Sequence, residues 1–261
     1  MCFVGHGAFG IREKVGWLPY FNALGFSDAT ALRLMPIVGT CDILMALSVL
    51  LSPCRAVLLY MGGWALFTSF LRPLAGESWW EVLDRAGNYG VPLAFLTLSG
   101  LGRSWMEWFE PILPGSARAA SAGCVDRVAN ALRATTGLLL IGHGGYGAFI
   151  QKAMLAKQYA AVGLSSMPLG LGSVVQTVGW IELLMGAAVL LAPLPALLVF
   201  IFAWKIATEL LYPVTGAPFW EFVERGGSYA APLALFFILI RRSEPKLVEH
   251  PSVVPAKGFS P

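Results

Sequence analysis

Two of the chain's histidines sit between glycines, as Gly5-His6-Gly7 and Gly142-His143-Gly144. An imidazole so placed could ligate haem iron or hydrogen-bond a quinone carbonyl. The flanking glycines let a neighbouring helix or a flat ligand come close. A plain bond to a neighbouring helix is the competing reading, and a bis-histidine haem would need both residues to face one cofactor. Asp42 and Glu182 stand at matching places further along, Glu182 inside the apolar stretch 167–192. A carboxyl there must be protonated, paired or reached by water. Beside a histidine it could carry protons to and from a quinone. A structural pair with the histidine or arginine of its own half is the alternative.

A third constellation recurs as well. Glu81, Arg85 and Tyr89 fall on one helical face, as do Glu221, Arg225 and Tyr229. Glutamate four residues before arginine is the favourable order for a helical ion pair. The motif could be an interfacial ion pair or a polar mouth for an anionic or quinone head group. Lys205 and Glu209 form another i, i+4 pair, where the first half has Ala65 and Ser69. That pair reads as self-neutralising. Because the halves diverge there, a single functional site is expected in the second half, with His143 and Glu182 at the head group and Arg225 and Tyr229 near its mouth.

The matches run in order along the chain. Gly5-His6-Gly7-Ala8-Phe9-Gly10 corresponds to Gly142-His143-Gly144-Gly145-Tyr146-Gly147, and Val38-Gly39 with Asp42-Ile43-Leu44-Met45 to Val178-Gly179 with Glu182-Leu183-Leu184-Met185. Trp64, Thr68, Pro73 and Gly76 correspond to Trp204, Thr208, Pro213 and Gly216. Trp80-Glu81 and Asp84-Arg85 correspond to Trp220-Glu221 and Glu224-Arg225. The offset moves from 137 to 140, which implies a three-residue insertion after the first helix of the second copy.

An ordered repeat of this kind predicts one structural unit used twice. The second copy has apolar spans at 129–151, 167–192, 195–214 and 218–240; the first has them at 34–53, 56–72 and 79–101. Each approaches the ~20 residues a helix needs to cross a bilayer. The first copy's first helix is short. Either it is a half-helix or the sequence starts downstream of the native start, and the latter is favoured. The expected organisation is a first repeat at 1–101, an interfacial linker at 102–128, a second repeat at 129–240 and a polar tail at 241–261. Trp105, Trp108 and Phe109 suggest a short helix lying in the membrane interface.

Composition agrees: 57% of residues are hydrophobic and 13% charged, against about a quarter charged in a soluble domain. The fold class is therefore all-α integral membrane, with about eight helices in two tandem four-helix repeats related by pseudo-two-fold symmetry. An even helix count per copy makes the repeats parallel. Linker, tail and the turns between second and third helices then share one side. Lysines and arginines number nine on that side and eight opposite, a weak bias under the positive-inside rule. Several of the eight sit at salt-bridge spacing, so the linker and tail are placed in the cytoplasm, in a prokaryotic inner membrane. No cleavable signal peptide is read at the N-terminus. A net charge of +3 without a basic stripe excludes a nucleic-acid surface. Cys2, Cys41, Cys54 and Cys124 form no C-x-x-C pair and read as small buried hydrophobes. No dinucleotide fingerprint, P-loop, nucleophile elbow or metal motif appears, so no catalytic or metal-ligating residue is assigned and an enzyme acting alone is not expected.

At Arg133, Gly137, Gly142-His143-Gly144 and Lys152, then Gly179-x-x-Glu182-x-x-x-Gly186, the chain resembles the DoxX-like superfamily of small four-helix membrane proteins. The order of helices and the short second-to-third turn agree with it. The first copy departs, with Asp42 for the glutamate and Ala46 for the second glycine. That superfamily includes subunits of thiosulfate:quinone oxidoreductase. The resemblance therefore implies redox work near quinones, as a subunit with partners in a membrane complex. A non-catalytic accessory or scaffold subunit and a small-solute carrier are the competing classes.

Overall fold

The computed structural model describes residues 1–113 and 121–243. The linker's Pro114 and Gly115 and the tail from residue 244 lie outside them. Among the described residues the chain is helical, without a strand beyond one isolated bridge between Cys54 and Pro111. The first half contains α1 (Cys2–Ile11), α2 (Leu18–Ala23), α3 (Asp28–Leu51), α4 (Arg55–Leu74), α5 (Trp80–Asp84) and α6 (Ala86–Ser99). The second contains α7 (Ala122–Gly145), a π-helical turn (Tyr146–Ile150), α8 (Ala153–Ala161), α9 (Leu171–Leu191), α10 (Pro195–Val214), α11 (Trp220–Glu224) and α12 (Gly226–Ser243).

Four helices, α3, α4, α9 and α10, are long and apolar enough to cross a membrane. Their exposure pattern is the reverse of a soluble protein's. Leu44, Leu184 and Phe200 point outward, more than half exposed, while Asp42, Glu182 and Lys205 are buried within the same helices. Large apolar side chains facing out and charges facing in suit a lipid solvent, where polar groups must find partners inside.

Local chemistry sets the ends. Ser27 and Ser121 cap α3 and α7 by accepting hydrogen bonds from the backbone N–H groups of Thr30 and Cys124. This cap starts α7 at Ala122, a full two turns before the apolar span begins at 129. Pro195 opens α10, and α4 and α10 both stop at a glycine with positive φ, Gly76 and Gly216. The short interfacial helix expected in the linker is one 3-10 turn, Met106–Trp108, with Trp105 exposed beside it.

The inserted residues do not sit in one place. The offset is 137 at His6/His143, 138 at Lys14/Lys152 and 140 at Val38/Val178. One extra residue is therefore absorbed between His143 and Lys152, where the π-turn lies; a π-turn is how a helix accommodates a single insertion. The others fall around the longer α8.

The two halves interlock. α1 packs along α3 and α7 along α9, but α5 packs on α7 and α11 on α1. Each copy's first helix is thus covered by the other copy's fourth segment. That segment is not one helix: it breaks at Arg85 and again at Arg225. In a continuous helix the Val82 carbonyl would accept from the Ala86 N–H. Here it accepts from the Tyr89 hydroxyl at 3.0 Å, and Phe222 accepts from Tyr229 at 3.3 Å. α6 and α12 meet backbone to backbone at Gly87 and Gly227, where any side chain would collide. An apolar core including Leu139, Val189, Leu198 and Leu235 fills the linker end of the bundle. The polar residues gather at the other end.

Candidate functional site

The glycines around each histidine serve helix packing. In the first copy Gly5 abuts the Glu224 backbone of α11 and Gly7 the Gly39 backbone of α3; in the second, Gly142 abuts Asp84 of α5 and Gly144 abuts Gly179 of α9. Each imidazole is thereby wedged between a carboxylate of its own copy and one of the other.

His6 Nδ1 lies 3.1 Å from Asp42 Oδ2, and its Nε2 lies 3.9 Å from Glu224. The ring lies 4.5 Å from that of Trp17. Arg85 joins the group, 3.4 Å from Glu224 and 3.2 Å from Glu81. Arg72 continues it, 3.5 Å from Glu81 and donating to the Tyr20 hydroxyl at 2.8 Å. Tyr20 in turn donates to Glu77. Burial pushes the Tyr20 phenol up, against the opposing pull of Arg72, so it stays neutral and keeps its proton to donate.

The second cluster is denser. His143 Nε2 lies 2.8 Å from Asp84 and 3.4 Å from Glu209, with Nδ1 3.8 Å from Glu182. Lys205, wholly buried, reaches Glu209 at 2.9 Å and Glu182 at 3.9 Å. Trp204 Nε1 donates to Glu182 at 2.9 Å. Arg225 lies 3.5 Å from Glu209 and 3.7 Å from Asp84. Two further bridges tie the copies together near this end: Lys14 to Glu221 at 2.7 Å and Lys152 to Glu81 at 2.9 Å.

The copies differ most where Ala65 and Ser69 replace Lys205 and Glu209. In the first copy that place is a cavity of about 810 Å³, counting its open mouth. His6, Asp42 and Arg85 form its polar end, Trp17, Tyr20 and Trp64 its flanks, and the exposed Leu24 and Phe67 stand at its mouth. In the second copy the Lys205 side chain and its glutamate fill the matching volume. A polar cleft lined by Lys14, Arg72, Glu81, Lys152 and Arg225 shares Trp17, Tyr20, Arg72 and Arg85 with this cavity. The space therefore runs from a charged cleft between the copies into an aromatic pocket on one flank. Three buried polar atoms of pocket-lining residues have no hydrogen-bond partner, Asp42 Oδ1, Trp64 Nε1 and Arg85 Nε, though the last has the Glu81 carboxylate 3.2 Å away. Leaving either of the first two unpaired costs about 1–3 kcal/mol.

Of the residues singled out from sequence, His6, Asp42 and Arg85 come together at the cavity. His143, Glu182 and Arg225 come together in the packed ionic cluster. Tyr89 and Tyr229 lie beside them, but their hydroxyls are given to backbone carbonyls rather than to a mouth. Sequence placed a single functional site in the second copy; the aromatic cavity lies in the first. Neither histidine presents itself as an axial ligand, since both ring nitrogens of each face carboxylates, so the donor set does not fit haem. It does fit a small polar head group with an apolar body. Among the described residues no group of three or more His, Cys, Asp or Glu is placed to hold a metal ion. Sequence reasoning passed over Trp17, Tyr20 and Arg72. Trp64 carried a signal, its match to Trp204, and Tyr20 has Tyr159 at offset 139, but Arg72 meets Tyr212 and has no match in the repeat. Comparison with known proteins returns no matching family model, curated protein or solved structure.

Proposed function

We propose that the chain is a DoxX-like membrane protein of about eight helices in two tandem repeats, and that it serves as a quinone-linked redox subunit. Its head-group site is the first-copy cavity. The observation that carries this reading is the pairing of an aromatic pocket, opening past outward-facing apolar side chains, with a part-buried histidine on a buried carboxylate at its closed end. Ring-shaped amphiphiles need that combination: apolar walls and a few placed polar groups.

A bound quinone supplies two-electron, two-proton redox chemistry. The chain's own part is to hold the head group against His6, Asp42 and Arg85, to exclude bulk water with Trp17 and Trp64, and to move a proton at the His6–Asp42 pair. The cleft of Lys14, Lys152 and Arg72 gives that proton a polar route outward. Electrons would be exchanged between the quinone–quinol couple and a redox centre on a partner subunit. The ion-paired state of Lys14, Lys152, Arg72, Arg85 and Arg225 discounts them from the charge bias. This supports a cytoplasmic linker in an inner membrane.

The accessory-subunit reading is favoured by one feature, the four histidine or arginine bridges and two lysine straps that lock the copies together. The closed Gly87–Gly227 contact argues against a solute path between the copies. Mass spectrometry of an organic extract of the detergent-purified protein separates the first two. Quinone at about one per chain supports the redox reading. Lipid alone moves the assignment to an accessory subunit, and the search then turns to co-purifying partners.

A further inference from the structure

The second copy shows what the first copy's unpaired atoms lack. Trp204 Nε1 donates straight to Glu182, and the Lys205 ammonium approaches the same oxygen. The first copy keeps the indole, as Trp64, but its carboxylate, Asp42, is one methylene shorter, and Ala65 carries no ammonium. An indole donor and a carboxylate acceptor are therefore left apart, on α4 and α3, with both atoms buried and without a partner.

Candidate groups to join them differ in what they offer. A carbonyl accepts from Trp64 but gives nothing to Asp42. An ammonium donates to Asp42 but has no lone pair for Trp64. A hydroxyl does both at one oxygen. The rings of Trp17 and Tyr20 on its flanks and of Phe67 at its mouth favour an aromatic body on that hydroxyl over an alkyl chain. We infer that the first-copy cavity seats an aryl hydroxyl, a quinol, with its oxygen accepting from Trp64 Nε1 and donating to Asp42 Oδ1. The inference rests on the quinone-site reading above and names the redox form that the site holds. Neither atom is open to the cavity as the side chains stand, so seating turns the Trp64 indole, which stacks on Tyr60 and leans on Phe67. In the second copy Glu182 and Lys205 occupy the same place, and that copy takes no quinol.

The test is equilibrium binding to the purified full chain in lipid nanodiscs, with indole fluorescence as a second readout. The probes are a decyl-chain benzoquinol kept reduced, the matching quinone, and dodecanol. A site built for a hydroxyl rejects the analogue without it. The quinol is expected to bind at least about tenfold tighter than the quinone, and to shift indole emission. Asp42→Glu, which restores the direct indole–carboxylate bond of the second copy, and Trp64→Phe each remove most of that preference. Equal binding of quinol and quinone overturns the inference while leaving the quinone site standing. Binding of neither overturns the underlying reading as well. Dodecanol binding as tightly as the quinol overturns the aromatic part. If either variant fails to fold, the quinol-to-quinone ratio of the unaltered chain decides alone.

Discussion

Lys205 is the residue on which the two copies part. It is wholly buried and held by Glu209 and Glu182. Removing one member of such a pair strands the other charge, at a cost of about 3–5 kcal/mol. Lys205→Ala is therefore expected to lower the thermal midpoint in detergent sharply. The double change Lys205→Ala with Glu209→Ser reproduces the first copy's Ala65 and Ser69, and should recover most of the loss. A single variant no less stable than the double would contradict the pairing. Tyr89→Phe tests the broken fourth segment in the same assay. It takes the hydroxyl from the Val82 carbonyl and should cost about 1 kcal/mol.

The helices pack through close backbone contacts at glycines. A methyl group on Gly142 would collide with the Asp84 backbone, which has no rotamer to yield, whereas nothing lies near a methyl group on Gly63. Gly142→Ala should abolish monodisperse folded protein on size-exclusion chromatography. Gly63→Ala should leave it intact or raise stability by about 1 kcal/mol, the helix-propensity gain. The role of the glycines was legible in sequence, because glycine next to histidine in an apolar stretch allows close approach whatever approaches. The breaks at Arg85 and Arg225 were not. Glu81, Arg85 and Tyr89 have the spacing of one unbroken helical face, and only the burial of Asp84 and Glu224 against the other copy's histidines makes the backbone turn there. The cavity was illegible for a related reason. Lys205 and Glu209 mark divergence, which reads as function, yet in three dimensions they fill space, and the cavity lies in the copy with the smaller residues. The packing order that brings α5 onto α7 leaves no trace in spacing or composition.

At the scale of the whole molecule, the polar cluster and the linker lie at opposite ends of the bundle. Arg55 donates to the carbonyls of Ser99, Gly100 and Glu107, fixing the linker beside the turn between α3 and α4. The loop around Gly163 and Gly170 belongs to the opposite end. In a background without the four native cysteines, Glu110→Cys should react with a membrane-impermeant maleimide only in inverted vesicles, and Ser166→Cys only in right-side-out cells. Reaction of both from one side would contradict the arrangement of spans. Plugging the cavity tests the proposed ligand seat: organic extracts are compared for the unaltered protein and for the Ala65→Lys, Ser69→Glu double variant, which copies the second copy's plug into the first. With the variant's thermal midpoint retained, quinone is expected at about one per chain in the former and none in the latter. Equal quinone in both extracts would mean that the ligand sits elsewhere.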